Sequence, residues 1–344
     1  MITVEQLVVP ASVQDDDAQD FIDNVDIHAR AEAEKYGHDE LRLTPAEVLP
    51  WWQDPASPRA LFGVKVDGEL VGRAMYNRRV TDPTTCWVAI DVVPEFRGRG
   101  IGSAIAERLQ QFARSEGRSK MIGYVVSAPS IGGTRIDAPT GFGSLPADTD
   151  EARFLQKHGY RLEQVVRASR LVLPVDVAVE PPADYRVHHW VNTTPPQWLE
   201  QMALLYTRMS TDAPSAGLET PEDPWTVERV IEEDRATAAG PRPYLIAVVE
   251  HVPTGQLAGY TTLAVPAEVE RPVHQHDTLV LREHRGNRLG MLLKVANIDQ
   301  LQRRYPGHPS IITFNAEENR FMLDVNEAVG FVPMGYEGAW RKDL

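Results

Sequence analysis

The chain is short of cysteine, of net positive charge and of long apolar runs, and each shortage excludes something. A single cysteine, Cys86, rules out an intramolecular disulfide and leaves no cysteine cluster to hold zinc. No run approaches the roughly 18 apolar residues that a membrane-spanning helix needs. The opening MITVEQLVVPASVQDDD carries early acids and no long apolar segment, so no signal peptide is expected and a cytoplasmic location is. The formal net charge is -14. Nucleic acid and anionic membrane are therefore not expected as partners, because both require a basic surface. The acidic surplus suits a cationic ligand, or solubility alone.

What is present reads as an α/β chain written twice. At 344 residues, two domains are the default expectation. The proline-rich stretch Pro174 to Asp184 reads as a linker. The expected division is residues 1–175, a linker over 176–184, and residues 185–344. On each side a hairpin carries Gly-x-Leu-x-Gly, at Gly68, Leu70 and Gly72 and again at Gly255, Leu257 and Gly259. An apolar strand, a glycine-rich turn, a helix, another strand and a helix ending in Gly-aromatic follow in both halves. The distance from Gly72 to Arg97 is 25 positions, and from Gly259 to Arg285 it is 26. The first copy carries extra residues around SAPSIGGTRIDAPTGFGSLPAD, a long loop fit for a lid or an acceptor wall, or for ornament.

The turns themselves are VVPEFRGRGIGS, Val92 to Ser103, and VLREHRGNRLGM, Val280 to Met291. A glycine-rich turn between strand and helix aims unpaired N–H groups outward, where the helix dipole adds positive charge. The absent Cβ atoms admit phosphate to the main chain, and an arginine at the turn either binds a second phosphate or steadies the loop. A diphosphate is the natural guest. No Gly-Lys-Ser/Thr follows, so a Walker turn is excluded. Ser103 stands where a dinucleotide fingerprint needs its last glycine, which weighs against NAD. What fits is Arg-x-x-Gly-x-Gly, at Arg97, Gly100 and Gly102.

With these motifs, both halves (roughly residues 55–170 and 240–340) resemble the GNAT superfamily of acyl-CoA-dependent N-acyltransferases. The second half resembles actinobacterial members through HRGNRLGMLLKVAN, FNAEENRFMLDVNEAVGF and MSTDAP. The resemblance implies an α/β chain of two tandem GNAT-like domains, each a mixed, splayed β-sheet flanked by helices. It implies acetyl-CoA as acyl donor, its pantetheine lying in the gap between the fourth and fifth strands. The main chain of Val92 and Val93, or of Val280 and Leu281, would pair with it, and one amide would polarise the thioester carbonyl. The donor-binding residues carried over are Val92, Val93, Arg97, Gly98, Arg99, Gly100, Ile101, Gly102 and Ser103. In the second copy they are Val280, Leu281, Arg285, Gly286, Asn287, Arg288, Leu289, Gly290 and Met291. The expected reaction is direct attack by a primary amine of a small-molecule acceptor. The alternative is a non-catalytic acyl-CoA-binding or sensor protein.

The copies depart from the family pattern in different places. Arg288 replaces Gly100, so the first turn matches the donor motif better. Family members often carry an Asn and, seven residues later, a Tyr that protonates the departing thiolate. The second copy has Asn319 and Asn326 at these places, the first Asp148 and Leu155, so neither supplies the phenol. For a base on the fourth strand the second half offers His276 and Asp277, of which strand alternation lets only one face the cleft. The first half offers Asp91, which also fits an edge salt bridge. His274-x-His276 lacks a third ligand, so no metal is expected. Asp212 in RMSTDAP fits either a cation contact or a turn cap. No histidine lies near Cys86, so no covalent intermediate is expected. The polar fourth strand and the Asn319 helix tilt the expectation of catalysis toward the second half. A monomer or a homodimer is expected, since a tandem pair supplies its own pairing.

Overall fold

A computed structural model of the chain describes residues 2–128, 133–219 and 221–344. The chain forms two units that do not follow sequence order. The first comprises Met1–Val166, Ala216–Glu219 and Gly335–Leu344, and the second Arg167–Ser215 and Thr220–Met334. The elements that begin in the first unit are β1 (Glu5–Leu7), α1 (Gln19–Tyr36), α2 (Pro45–Trp52), β2 (Arg59–Val66), β3 (Glu69–Asn77), β4 (Thr85–Val92), α3 (Ile101–Ser115), β5 (Lys120–Val126), β6 (Arg135–Asp137), β7 (Ser144–Pro146), α4 (Asp150–Lys157) and β8 (Arg161–Val172). Those that begin in the second are β9 (Tyr185–Val191), α5 (Leu199–Asp212), α6 (Val227–Ala239), β10 (Tyr244–His251), β11 (Gln256–Ala264), β12 (Val273–Val280), α7 (Leu289–Arg304), β13 (Ser310–Ala316), α8 (Arg320–Val329) and β14 (Val332–Asp343). Among the described residues no helix is long and apolar enough to cross a membrane.

In the first unit, β1 to β4 pair antiparallel in sequence order, and β5 joins β4 in parallel. In the second, β9 to β12 repeat the meander and β13 joins β12 in parallel. This is the duplication expected from the motifs, an antiparallel meander followed by a parallel strand in each unit. The two glycines of each hairpin motif have separate work. Gly68 and Gly255 take the positive φ of the turn, at 86° and 66°. A Cβ on Gly72 would meet Ile101 at 2.8 Å, so its bareness lets α3 lie close on the sheet. That helix buries Ile101, Ile105, Leu109 and Ala113, a stripe repeating every four residues.

Both fourth strands part from the fifth after a short contact. β4 pairs with β5 only at Thr85↔Lys120, Cys86↔Met121 and Trp87↔Ile122. β12 pairs with β13 only at Val273↔Ile311 and His274↔Ile312. Beyond those points one edge of each fourth strand has no strand partner among the described residues.

The first unit is completed from the far end of the sequence. Glu337 to Asp343 of β14 run antiparallel to β5, from Glu337↔Val126 to Asp343↔Lys120. Trp340, 2% exposed, sits in the same core as Phe62, Ile105, Leu109 and Met121. Ala216–Glu219 also joins this unit, with Lys120 Nζ donating to the carbonyls of Leu218 at 2.9 Å and Glu219 at 3.0 Å. Conversely Leu171, late in β8, is buried in the second core with Leu245, Val273 and Ile311. The stretch read as a linker is anchored at its start: Val175 N–H donates to Gln302 Oε1 at 2.7 Å, and Val175 and Val179 pack on that second core. The long loop of the first copy forms the β6–β7 hairpin, with Leu145 in the first core. Its residues 129–132 lie outside the described residues.

Because Trp340 fills a core position from outside the contiguous N-terminal segment, Trp340→Ala is expected to lower stability by about 3–5 kcal/mol. Urea unfolding of the full chain measures this, and a loss under about 1 kcal/mol would mean that β14 is dispensable to the first core.

Candidate active site

In the first unit, β4 runs into a short 3-10 turn, Pro94–Phe96, and then into the glycine turn that opens α3. Gly98 and Gly100 take φ of 74° and 87°, the left-handed region that favours glycine. Gly100 gives α3 no side-chain cap, so the first N–H groups of the helix have no side chain to bind. That satisfies the chemistry of an anion cradle. Ser103 Oγ lies 3.1 Å from His158 Nε2, and burial lowers the His158 pKa.

The turn arginine has a different role from a phosphate ligand. Arg97 Nε donates to the Val92 carbonyl at 2.9 Å, and its guanidinium grips both oxygens of Glu34 at 2.8 and 2.5 Å. This two-pronged bridge holds the Glu34 carboxyl below its usual range. The second unit repeats the device. Arg285 Nε donates to the Val280 carbonyl at 3.1 Å, and the guanidinium reaches Asp212 at 2.8 Å. Arg282 holds the other oxygen of Asp212, at 3.0 Å. Asp212, with a side chain 6% exposed, is thus spent on the turn rather than offered to a substrate. Each arginine ties a helix of its unit, α1 or α5, to the turn. Arg99 folds back to the Glu95 carbonyl and over the Phe96 ring.

Strand alternation also corrects the pair of amides expected in the gap. Val93 N–H donates to the Val71 carbonyl and Leu281 N–H to the Ala258 carbonyl, both at 2.9 Å, so these two face inward to the sheet. The main chain of Val92, or of Val280, therefore points to the unpaired edge.

A cavity of about 560 Å³ opens along this edge. Val88 to Val92, the turn from Phe96 to Ser103, and Gly123, Val125, Phe154, Leu155 and Tyr160 line it. Leu155, where the family pattern has its phenol, is buried. Tyr160 turns its hydroxyl to Met121 Sδ at 3.9 Å, and burial pushes its pKa up. Cys86 is fully buried and its thiol is pushed up to about 12, which disfavours a cysteine nucleophile.

A second cavity, of about 370 Å³, shares the wall formed by Val88 to Asp91 and also borders Lys35 and Val125. Into it come His28 and Glu32 of α1, Trp87, Tyr124, and Glu337 of β14. Asp91 Oδ2 meets buried Arg73 at 2.8 Å and His28 Nδ1 at 3.0 Å. Burial works against the Asp91 charge, but Arg73 and His28 outweigh it and hold the carboxyl well below its ordinary range. His28 Nε2 lies 3.6 Å from Glu32, whose pKa burial raises. Tyr36 donates to Glu337 Oε1 at 2.8 Å, and burial pushes Glu337 up to about 7. Sequence reasoning found Asp91 and missed the others. The signal was there for α1, where His28, Glu32 and Tyr36 recur every four residues on one helix face.

The candidates from the second half are placed differently. Asn319 caps α8, accepting from Met322 N–H at 3.4 Å. Asn326 is 1% exposed and donates to Asn315 at 2.7 Å. Asn319 and Asn326, the catalytic candidates on this helix, are thus engaged in capping and packing α8. Asp277, exposed, accepts from Tyr260 at 3.1 Å, while the exposed His276 ring lies against Tyr244. Gln275, between the two histidines, points inward to Thr261 and Thr262. Asn287 bonds to Tyr185 and to the His284 carbonyl, and Leu289 is buried. Gly286 matches Gly98 with φ of 85°, but Arg288 must take a φ of 57° where Gly100 stands in the first copy. A Cβ on Gly290 would have Val325 at 3.8 Å, ordinary contact, whereas one on Gly102 would press Phe154 at 3.2 Å. Met291 packs on the second core. Among the described residues no three His, Cys, Asp or Glu side chains gather as for a metal.

The meander, the parting of the fourth and fifth strands and the turn-to-helix junction, present twice, define a tandem GNAT fold. Residues 23–131 match the acetyltransferase (GNAT) family. The chain is similar in structure to a tandem GNAT protein from the clavulanic acid biosynthesis pathway, at 24% identity and TM-score 0.74, covering 100% of this chain and 98% of that one. It is also similar to a GCN5-related N-acetyltransferase from Sphaerobacter thermophilus, at 15% identity and TM-score 0.66, covering 99% and 95%. A third, from Anabaena variabilis, has 10% identity and TM-score 0.53, covering 99% and 73%. No curated protein sequence matches the chain. The family match supports acyl transfer in general terms.

The left-handed turn position predicts opposite effects in the two copies. Gly100→Ala is expected to cost about 1 kcal/mol and Arg288→Gly to gain up to about 1 kcal/mol. Thermal unfolding of both variants checks the signs, and matching signs would mean that φ does not govern this position.

Proposed function

We propose that the first unit is an N-acetyltransferase that moves the acetyl group of acetyl-CoA directly onto a primary amine of a small-molecule acceptor. One observation carries this reading: two cavities lie along the same unpaired stretch of β4, Val88 to Asp91. The larger begins at the glycine turn and suits a long donor ending in a diphosphate. The smaller gathers polar and titratable groups and suits the acceptor. A thioester reaching the shared wall would meet the acceptor there, and the Val92 amide faces the same edge to polarise a carbonyl. Acetyl as the acyl group, a small amine as the acceptor and a cytoplasmic setting belong to this proposal. So does a protein working without nucleic acid, membrane or metal, as a monomer or homodimer.

The second unit fits a non-catalytic counterpart, which reverses the expectation that favoured the second half. Asn319 and Asn326 are committed to helix α8 and its packing, and Arg288 puts a side chain where the first turn leaves the backbone bare. Its acyl-CoA binding, if retained, would be that of a sensor or a structural partner.

Calorimetric titration of the full chain with acetyl-CoA tests the assignment. Ser103→Asp places a negative charge in the first turn of α3, where it suits the helix but repels phosphate. It is expected to weaken donor binding at least about tenfold, a loss of about 1.4 kcal/mol. Gly290→Asp, at the second turn, is expected to leave the tight site intact. The reverse pattern would move the donor to the second unit, and no binding by the native chain would remove the acyltransferase reading.

A further inference from the structure

The smaller cavity holds three carboxylates, and their partners separate them. Asp91 is committed to Arg73 at 2.8 Å and to His28 at 3.0 Å. Glu32 faces His28 Nε2 at 3.6 Å. Glu337 differs: Oε1 accepts from Tyr36 at 2.8 Å, while Oε2 has no hydrogen bond or ion pair among the described residues. Its position is fixed by the ladder between β14 and β5, where it stands opposite Val126 at the end of the parted strand. Its carboxyl therefore enters the cavity across from the unpaired stretch of β4.

We propose that Glu337 is the catalytic base of the transfer, receiving a proton from the attacking nitrogen; this rests on the acyl-transfer reading of the first unit. An amine acceptor arrives largely as ammonium near neutrality and cannot attack until it loses a proton. The ammonium gives one proton to Glu337 Oε2 and becomes a free amine. Its lone pair forms the N–C bond, the C–S bond breaks, and sulfur leaves as thiolate. The surplus proton on nitrogen passes to the thiolate, giving thiol and amide, and Glu337 returns its proton to water. No phenol is required, which agrees with Leu155 standing where the family pattern has one.

The surroundings suit that task. Burial pushes Glu337 up to about 7, while the Tyr36 hydrogen bond pulls the other way. The groups facing it are His28, Glu32, Lys35 and Tyr36 from α1, with Asp91, Arg73 and Tyr124 from the strands. The base form thus fills as pH rises through about 7, and Tyr36→Phe, which removes the hydrogen bond favouring the charged form, moves that rise to higher pH.

The test uses the full chain, its Glu337→Gln, Glu337→Asp and Tyr36→Phe variants, and two probe nucleophiles. These are n-butylamine, charged at pH 7, and methoxyamine, a weak base already neutral there. Acetyl-CoA binding is measured by calorimetry and turnover by thiol release across pH. With n-butylamine at pH 7, Glu337→Gln is expected to lower kcat about 100-fold with little change in KM. With methoxyamine the loss should shrink to a few-fold, and Glu337→Asp should recover part of the rate. Tyr36→Phe should shift the pH profile upward. Equal rates for native and Glu337→Gln would overturn the assignment, as would an equal loss with both probes, the mark of a packing role. Binding of acetyl-CoA without thiol release to either probe by the native chain would overturn it too. Failure of the native chain to bind acetyl-CoA would instead remove the donor reading, and the proposal with it.

Discussion

The structure of each unit turns on a hydrogen-bond ladder that stops early. Had β5 followed β4 to its end, every amide of the fourth strand would be satisfied and the sheet would have no cleft. Instead the two part after Trp87 and Ile122, and the edge from Val88 onward is left for something else to pair with. Unpaired backbone groups in a partly closed setting cost free energy unless water or a ligand satisfies them. The fold therefore leaves, where a strand would otherwise pair, backbone groups of the kind that an extended molecule pairs with. The other edge of β5 is occupied by β14, which keeps that strand within a sheet while its partner edge is open.

The turn arginines explain how such a cleft is kept in shape. Arg97 and Arg285 each cap the carbonyl of the last strand residue and bridge to an acid on a preceding helix, Glu34 or Asp212. The glycines can then keep left-handed backbone without the loop collapsing onto the helix. The two copies share this device even though Arg288 has replaced the glycine of the cradle.

Much of this was legible in the sequence because it depends on short-range pattern. Alternation gave the hairpins, four-residue spacing gave α3, and the paired Arg-Gly turns located the cradle. The partners of the arginines were not legible, since Glu34 and Asp212 lie on helices far along the chain from Arg97 and Arg285 and no spacing rule connects them. Nor could the sequence show that Val93 and Leu281 spend their amides on the neighbouring strand, because that depends on register. The site's carboxylates were divided in the same way. Asp91 sits in a strand that the repeat highlighted, but Glu337 lies after the last motif. Its alternating segment announces a strand without naming the sheet that it enters.

The path of the chain also sets a timetable. Residues 167–334 are made after the body of the first unit and before the strand that completes it. At roughly 5–20 residues per second, synthesis of that intervening stretch takes on the order of ten to thirty seconds. During this interval the β5 edge that will receive Glu337 to Asp343 stays bare, a surface on which other strands can pair wrongly. The nascent chain thus waits for β14, and a chain that stops before Gly335 has the glycine turn of α3 made and the cavity beside Glu337 unfinished.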